Sequence, residues 1–296
     1  MTKKNKTGIR KSIVTKVWPS RHMVSALTLL LTSCGAPNAW HSNQTGSRGN
    51  REAGHFHPQP PPPGSKYPYY GHQTTTYVVA RIAGWDQETS LRLSHFSQAP
   101  DDLAISYSAP AVAVWGTLIP GAWNYRHRVM NVLHSLHGGD AAAVDRRRER
   151  LHGLIAASNK ADREQHWKTG FLIHAYGDSY AHVRPNSQGG ERAYGELVGH
   201  GFDRHVKPDH ISEHFPMYEI YVGQLHAALA KNGGNPAELK RFVATVKADS
   251  HSEKTTEDAI CNFAPFGRKL PGKSYSEWNE EIEDVSTYLQ AVEKSL

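Results

Sequence analysis

The chain has 296 residues, enough for one large domain or two small ones, and its formal net charge is +6. Seven lysine and arginine residues fall within the first 33 positions, and no acidic residue precedes Glu52. Without those seven charges the remainder carries −1. The basic isoelectric point therefore says nothing about the ligand of the folded part, and no specific nucleic-acid binding is expected.

The N-terminal segment has the organisation of a bacterial export signal. A basic region over residues 1–23 precedes VSALTLLLTS (24–33), an apolar run too short to span a bilayer. The run ends in LTSC, which resembles the lipobox of bacterial lipoproteins and implies that residues 1–33 are removed and Cys34 is lipidated. An ordinary secretory signal or a buried helix is the alternative. Because Gly35 is not an aspartate, the resemblance favours a lipid anchor in the cell envelope at the outer membrane.

Residues 34–71 have the composition of a linker. They are poor in aliphatic side chains and rich in Asn, Ser, Gly, Pro and His, and they include most of HPQPPPPGSKYPYYGH (57–72). Such a segment cannot pack a core, and its prolines favour an extended spacer. We therefore expect a disordered tether followed by one globular domain over residues 72–296, with His55 and His57 solvated.

Helix start and stop signals dominate the rest of the chain. Gly and Pro end several apolar segments, and Asp or Asn stands where a helix would need an N-terminal cap. The first four predicted helices are 74–84, which ends at Gly84, a helix that is capped by Asp86 and ends before Pro100, a helix over about 140–157, and a helix over about 162–182. The other three are a helix from 216 to the NGG at 232–234, a helix that begins at Asn235-Pro236 with Glu238, and a helix over about 276–294.

One apolar segment does not fit this pattern. APAVAVWGTLIPGAW (109–123) is interrupted by Gly and Pro, and it is predicted to form a buried loop or a short pair of strands. Strand signals are otherwise sparse, and no internal repeat is visible. The expected fold class is therefore all-α, with a single multi-helix domain.

The most informative motif is HAYGDSYAH (174–182) inside the helix predicted over about 162–182. Residues four apart on an α-helix differ by roughly 40° around its axis, so His174, Asp178 and His182 share one face. Two imidazoles and a carboxylate are ligands that zinc accepts. A stripe of surface residues or a satisfied core histidine is the alternative, but burying three ionisable groups without a partner would be costly.

Other histidines and aspartates cluster in four further segments. Each segment alone has an ordinary explanation, since loops are often rich in these residues. Together they exceed what a single metal ion needs, and they favour a metal centre. The segments supply His72, then Asp101 and Asp102, then His134 and His137, and finally His200, His205, Asp209 and His210.

The ordered blocks GHQTTTYVVARIAG, LRLSHFSQAPDD, VLHSLHGG, FLIHAYGDSYAH and GHGFDRHVKPD resemble those of a bacterial lipoprotein family over roughly residues 70–210. That family is similar in its central motif to the zinc-dependent phospholipase C and P1-nuclease superfamily, and the motif also looks like that of glycosylphosphatidylinositol-specific phospholipase D. The resemblance implies an all-helical fold, one to three zinc ions and phosphoester hydrolysis. The implied metal ligands are His72, Asp102, His134, His174, Asp178, His182, His200 and Asp209.

The chain also departs from the phospholipase C pattern. In that superfamily the amine of an N-terminal tryptophan ligates a metal, whereas here the mature N-terminus would be the acylated Cys34, far from the domain. The resemblance implies that His72 takes that position. Asp101 and His205 are second choices, with Asp101 or Asp102 taking a proton from water and His205 completing the site.

The leading hypothesis is a membrane-tethered zinc hydrolase acting on phospholipid, with peptidoglycan-linked or nucleotide phosphoesters as alternatives. A metal-binding structural lipoprotein without catalysis is the second hypothesis. A third is a secreted hydrolase whose specificity loop is RPNSQGGERAYGE (184–196). GDSY (177–180) is weakly similar to the motif of GDSL serine hydrolases, but it sits within a helix and not after a strand, which argues against Ser179 as a nucleophile.

Overall fold

The computed structural model describes residues 70–101, 107–158, 162–186, 189–196, 208–263 and 275–296. The expected all-α fold class is confirmed, since helices packed in one compact domain make up most of this part of the chain. The signal segment, the tether and Cys34 lie outside the described residues. No helix that the structure describes is both long enough and apolar enough to cross a membrane.

The described part of the chain is a succession of helical segments with one short pair of strands. Single π-helical turns cover Tyr70–Thr74 and Val129–Leu133, and 3₁₀ turns cover Ala99–Asp101, Arg163–Gln165 and Ile211–Glu213. The α-helices are α1 (Thr75–Ile82), α2 (Gln87–Gln98), α3 (Ala109–Leu118), α4 (Trp123–Arg128), α5 (Ala141–Ser158), α6 (His166–Ala181), α7 (Phe215–Leu229), α8 (Pro236–Ala248), α9 (Glu253–Cys261), α10 (Tyr275–Asn279) and α11 (Val285–Glu293).

The predicted helix caps are confirmed. The Asp86 carboxylate accepts a hydrogen bond from the backbone N–H of Thr89 at 2.8 Å, so α2 begins where the sequence indicates. The Asn235 side chain accepts from the Glu238 N–H at 3.1 Å, and α8 starts with proline in its first turn. Gly84 follows α1 with φ of +94°, a conformation that favours glycine.

Helix α6 forms the centre of the domain. Every described side chain from His166 to Tyr180 is buried except Lys168, and the helix packs against α2, α5 and α7. A helix buried on nearly all faces has no solvated side to which polar residues can turn. The charged and polar groups of the HAYGDSYAH motif are therefore placed inside the protein.

Gly170 sets how closely α2 and α6 approach each other. A Cβ atom at this position would lie 2.3 Å from Phe96 Cβ and 2.8 Å from the Phe96 carbonyl carbon. Only glycine leaves room for the backbone of α2 at this crossing. The close approach brings the C-terminal end of α2 against the motif face of α6.

A short β-hairpin follows α6. Strands β1 (Val183–Pro185) and β2 (Glu191–Ala193) are antiparallel, with Val183 opposite Ala193. The Tyr194 N–H donates to the carbonyl oxygen of His182 at 3.0 Å. The hairpin overlaps the segment interpreted as a specificity loop (184–196), and it holds the chain in place at the end of α6.

Two predictions about secondary structure were wrong. Residues 109–123 contain helix α3, because Pro110 lies in its first turn, where its missing N–H costs no hydrogen bond. The predicted C-terminal helix is two helices, α10 and α11, separated at Asp284. Asp284 has φ of +40°, and its carboxylate caps α11 by accepting from the Thr287 N–H at 3.2 Å.

Candidate metal centre

Asp178 is the centre of a cluster of four histidines. Its Oδ1 atom lies 3.1 Å from His72 Nε2, and its Oδ2 atom lies 3.2 Å from His174 Nε2 and 3.3 Å from His134 Nδ1. His182 Nδ1 is 3.5 Å from the same Oδ2. The two oxygens of one carboxylate therefore face imidazoles from three separate parts of the chain.

Helical geometry explains how the motif residues meet. His174 and Asp178 lie one turn apart on α6, and His182 follows the last residue of that helix. His72 lies in the first π-helical turn, and His134 directly follows the second one, Val129–Leu133. π-helical turns occur frequently at functional sites, where they shift the helix register by one residue.

Gly177 makes room for His72. A Cβ atom at this position would lie 3.1 Å from His72 Cε1 and 3.2 Å from His72 Nδ1, closer than most real contacts. The His72 ring also lies against the ring of His174, with 4.2 Å between their centroids. The small residue inside the motif is therefore what allows the first turn of the domain to contribute a ligand.

Backbone carbonyls fix which nitrogen of each ring carries a hydrogen. His174 Nδ1 lies 2.8 Å from the Ser97 carbonyl oxygen, and His182 Nδ1 lies 2.8 Å from the His134 carbonyl oxygen. His134 Nε2 lies 3.2 Å from the carbonyl oxygen of Tyr107. Because a carbonyl can only accept, each of these nitrogens donates, and the opposite nitrogen presents a lone pair whenever the ring is neutral.

This arrangement brings three electron-rich atoms together. His174 Nε2 and His134 Nδ1 are 3.1 Å apart, and both face Asp178 Oδ2. Three acceptors at such distances repel one another unless a cation or additional protons lie between them. Metal-binding histidines are oriented in the same way, with the remote ring nitrogen donating to a carbonyl or carboxylate. The donor set therefore fits a metal ion.

Two sets of ligand atoms in this cluster have the spacing of a metal site. The atoms of His72, His174 and Asp178 lie within 4.8 Å of one another, and so do those of Asp101, His134 and His174. His174 belongs to both sets. Imidazole nitrogen and carboxylate oxygen suit several divalent metals, so the geometry indicates a metal site without fixing the metal.

The charges of the cluster shift its pKa values strongly. Burial alone would raise the pKa of Asp178, but His182 and His174 reverse that effect and hold it well below its usual value. Burial alone would lower the pKa of His182, but Asp178 and Asp209 raise it to about 10. Burial lowers the pKa of His174. Without a metal, the site thus holds a carboxylate anion beside a protonated His182 and a neutral His174.

His72 completes this charge pattern. Burial would lower its pKa, but its hydrogen bond to Asp178 and the charges of Asp178 and Asp101 raise the pKa above the usual value. Its Nδ1 atom is buried and has no hydrogen-bond partner among the described residues. A polar atom left in this state is unusual inside a protein. The His72 side of the cluster is therefore where a buried polar atom still lacks a partner among the described residues.

Asp101 and Asp209 lie at the rim of the cluster. Asp101 Oδ2 is 3.7 Å from His72 Nε2, and Asp209 Oδ1 is 3.4 Å from His182 Nε2. The Asp209 side chain is 31% exposed, whereas the His174 side chain is fully buried. The cluster is therefore closed on the α6 side and reaches solvent at the two aspartates.

The structure brings together most of the residues proposed from the sequence. His72, Asp101, His134, His174, Asp178, His182 and Asp209 all belong to the cluster. Asp102, His200 and His205 lie outside the described residues, as does Cys34. Ser179 is buried, and its hydroxyl donates to the carbonyl oxygen of Tyr176 at 2.6 Å, which does not suit a nucleophile.

Sequence reasoning missed the groups that orient the ligands. They are backbone carbonyl oxygens of Ser97, Tyr107 and His134, and a backbone atom leaves no signal in residue type. Gly177, which makes room for His72, stands inside the motif, but its function depends on a contact 105 positions away in sequence. These residues could be found only once the fold was known.

No family model matches this chain, and neither the curated proteins nor the solved structures include one with significant similarity to it. The chemistry of the site must therefore be inferred from its own residues.

Proposed function

We propose that this protein is a membrane-tethered, zinc-dependent hydrolase of phosphoesters. The observation that carries the proposal is the convergence of His134 Nδ1, His174 Nε2 and Asp178 Oδ2 in a buried site whose rim reaches solvent. The central motif HAYGDSYAH, which resembles that of the zinc-dependent phospholipase C and P1-nuclease superfamily, supports zinc as the metal and a phosphoester as the substrate.

The buried residues would hold the metal. His174, His134 and Asp178 offer ligand atoms that are already oriented, and His72 Nε2 lies at the edge of the set. The Nδ1 atom of His182 donates to the His134 carbonyl, so only its Nε2 atom could become a ligand. A zinc ion bound there would polarise a phosphoryl oxygen and lower the pKa of bound water toward neutrality. The raised pKa of His182 implies that this side chain gives up a proton when it becomes a ligand.

The rim residues would handle protons and substrate. The Asp101 carboxylate has two imidazole nitrogens within 4 Å and is 14% exposed, so it can accept a proton from an attacking water molecule. Asp209, on the opposite side, accepts from protonated His182 and fixes that ring beside the opening. Asp102, His200 and His205 remain candidates for completing the site from segments outside the described residues.

The tether favours phospholipid as the substrate. Cys34 stands in a lipobox-like sequence, and the domain begins within about 36 residues of it, close to His72. An enzyme anchored in this way would meet headgroup phosphates at high local concentration. Peptidoglycan-linked and nucleotide phosphoesters are the alternative substrates in the cell envelope.

A non-catalytic metal-binding lipoprotein is the second candidate function. The burial of His134 and His174, at 1% and 0% exposure, favours it, because structural metal sites are closed. Against it stands the exposure of Asp209 and Asp101 at the rim, since a catalytic site keeps an open position for water and substrate.

Hydrolysis of defined phosphoesters by zinc-loaded protein tests the proposal. We expect turnover of a generic phosphodiester or of phosphatidylcholine, with release of a phosphate-bearing product. Asp178→Asn should reduce the rate by at least about a hundredfold because it removes the carboxylate that faces four imidazoles.

Asp145→Asn is the matched control, since Asp145 is an exposed residue of α5 outside the cluster and should leave the rate unchanged. Fully metal-loaded wild-type protein with no turnover on phosphodiesters, phospholipids or nucleic acids would favour the non-catalytic function.

A further inference from the structure

Exposed apolar side chains concentrate on one helical hairpin. Of the four large apolar side chains that stand exposed among the described residues, three lie on α3 and α4: Val114 at 44%, Leu118 at 67% and Trp123 at 53%. We call Val114, Leu118 and Trp123 the apolar tip. The fourth, Ile220, lies on α7. Val114 and Leu118 lie one turn apart on α3, and exposed apolar side chains that cluster mark an interaction site more often than isolated ones do.

The apolar tip belongs to a packed structure. A Cβ atom on Gly116 of α3 would lie 2.9 Å from Arg126 Cβ of α4, so the two helices are in close contact. Trp115 stacks on Tyr125 with 5.7 Å between ring centroids. The Arg126 guanidinium lies 5.6 Å from the Trp123 ring centroid, which orients the indole while leaving half of it in solvent.

The outward face of α3 is mostly apolar, and the exposed Thr117 is the one polar residue of this helix. Val112 is fully buried in the main core, and Ala109 and Ala113 pack on a smaller cluster with Met130 and Leu136. The opposite side of the helix carries Val114 and Leu118, and no charged residue occurs from 103 to 125. A helix with both faces apolar is stable in water only where the outer face has another partner.

The chemistry of the tip matches a lipid interface. Trp and aliphatic residues favour the boundary between headgroups and acyl chains, where the indole ring is buried and its N–H can still find a partner. The basic residues Arg126, His127 and Arg128 directly follow the uncharged segment, but Arg126 is buried and all three face Glu196 or Glu293. The apolar side chains, and not these charges, would therefore make the contact with lipid.

A second copy of the chain is a less suitable partner. Three side chains that are about half exposed offer on the order of 300 Å², well below the roughly 800 Å² per partner that stable interfaces bury. Insertion into lipid needs no matching protein surface. A few apolar side chains suffice when a covalent lipid already holds the protein at the membrane.

The start of α3 is also linked to the buried part of the candidate metal centre, at His134. Helix α3 begins two residues after Tyr107, whose carbonyl oxygen lies 3.2 Å from His134 Nε2. The chain enters the domain at Tyr70, which follows Cys34 by 36 positions and precedes the ligand His72 by two. The end of the tether, the cluster and the start of α3 are therefore close to one another.

We propose that the apolar tip inserts into the headgroup region of a phospholipid bilayer and orients the metal centre toward it. This inference rests on the proposed membrane tether and deepens the proposed function, because it names a bilayer surface as the place where the site works. Helix α3 spans about 15 Å, so a tip at its far end keeps the site within reach of the headgroups.

Vesicle binding of the full chain tests the proposal. All proteins carry Cys34→Ser, so that no covalent lipid contributes, and the vesicles contain equal amounts of phosphatidylcholine and phosphatidylglycerol. The double substitution Leu118→Asp with Trp123→Asp should weaken binding by at least about tenfold, since each charged side chain must be kept out of the interface. Ile220→Asp is the matched control and should change binding by less than about twofold.

A second readout separates insertion of the tip from binding through the N-terminal segment. Lipids that carry a spin label at shallow depth should quench part of the tryptophan fluorescence in wild-type protein, and Trp123→Phe should remove that quenchable part. Circular dichroism and thermal melting verify that the variants fold.

Binding that is unaffected by the double substitution, or quenching that is unaffected by Trp123→Phe, would overturn the proposal. So would a wild-type dimer in sedimentation that the double substitution converts to monomer, because the tip would then be a contact between copies. Vesicle binding is scored separately from turnover. A protein that binds through its tip but hydrolyses nothing therefore contradicts the proposed function and leaves this inference intact.

Discussion

The Nδ1 atom of His174 lies 2.8 Å from the carbonyl oxygen of Ser97, and this contact decides which nitrogen the ring presents to the candidate metal centre. Ser97 is the second-last residue of α2, whereas His174 lies in the middle of α6. The crossing of these two helices at Gly170 sets the distance between them. The geometry of the site thus depends on how closely two helix backbones pack.

Gly170→Ala should destabilise the protein and loosen the site. The new methyl group would overlap Phe96 and force α2 away from α6, at a cost of about 1–3 kcal/mol in the free energy of unfolding. The displaced Ser97 carbonyl would no longer hold the His174 ring, so metal affinity should fall as well. Urea unfolding and metal titration of the variant measure the two effects.

Gly153→Ala provides the comparison. Gly153 is an exposed residue of α5, and a Cβ atom there meets nothing within 4 Å. Replacing a glycine inside a helix by alanine typically stabilises by about 0.5–1 kcal/mol. If the two alanine variants had the same stability, close packing at Gly170 would not be what holds α2 against α6.

Asp178→Asn should lower the pKa of His182 in metal-free protein. The Asp178 charge opposes the effect of burial and helps raise the pKa of His182 to about 10. Asparagine keeps the shape of the side chain but removes that charge, so His182 should lose its proton at lower pH. Titration of the His182 ring by NMR, with and without the substitution, measures the shift.

Asp209→Asn should also lower this pKa, because the Asp209 carboxylate both accepts a hydrogen bond from the His182 ring and attracts its positive charge. A His182 pKa that is unchanged in both variants would mean that neither carboxylate stabilises the protonated ring.

Acid should destabilise the protein through His95. Burial lowers the pKa of this side chain to about 4, and its Nε2 atom lies 2.9 Å from Asn279 Oδ1. An unfolded histidine takes up a proton near pH 6.5, so the contribution of His95 to stability is complete above that pH and is lost as the pH falls toward 4.

Unfolding by urea at pH 7 and pH 5 checks this expectation. The loss of stability between the two should be smaller by on the order of 1–2 kcal/mol in His95→Gln than in wild-type protein. His127→Gln serves as the control because the His127 side chain is 48% exposed. An equal loss in wild-type protein and His95→Gln would show that His95 can be protonated without unfolding.

The fold could be predicted from the sequence where interactions between residues close together in the chain determine the structure. Asp86 and Asn235 begin helices because their side chains bind backbone N–H groups three residues later, an interaction visible in the sequence. The motif on α6 was recognisable for a similar reason, since residues four apart share a face of any helix. His72, Asp101, His134 and Asp209 could be proposed only from segments rich in histidine and aspartate and from the resemblance, since nothing local in the sequence shows that these segments meet.

The features that sequence reasoning missed depend on distant contacts. Gly116 of α3 looks like a helix breaker, but it provides the contact with Arg126 that joins α3 to α4. The break between α10 and α11 requires a left-handed Asp284, a conformation that sequence alone does not reveal. The carbonyl of Ser97 orients a histidine 77 positions away and would do so with almost any side chain.

Metal content is the most direct test of the central claim that this cluster is a metal centre. Elemental analysis of protein purified without chelators should find at least one zinc ion per chain. Asp178→Asn should lose most of it, and Asp145→Asn should retain it. Because the metal binds only the folded state, a chelator should also lower the melting temperature of wild-type protein. Wild-type protein that contains no metal, takes up none when zinc is supplied, and melts at the same temperature with and without chelator would contradict the account.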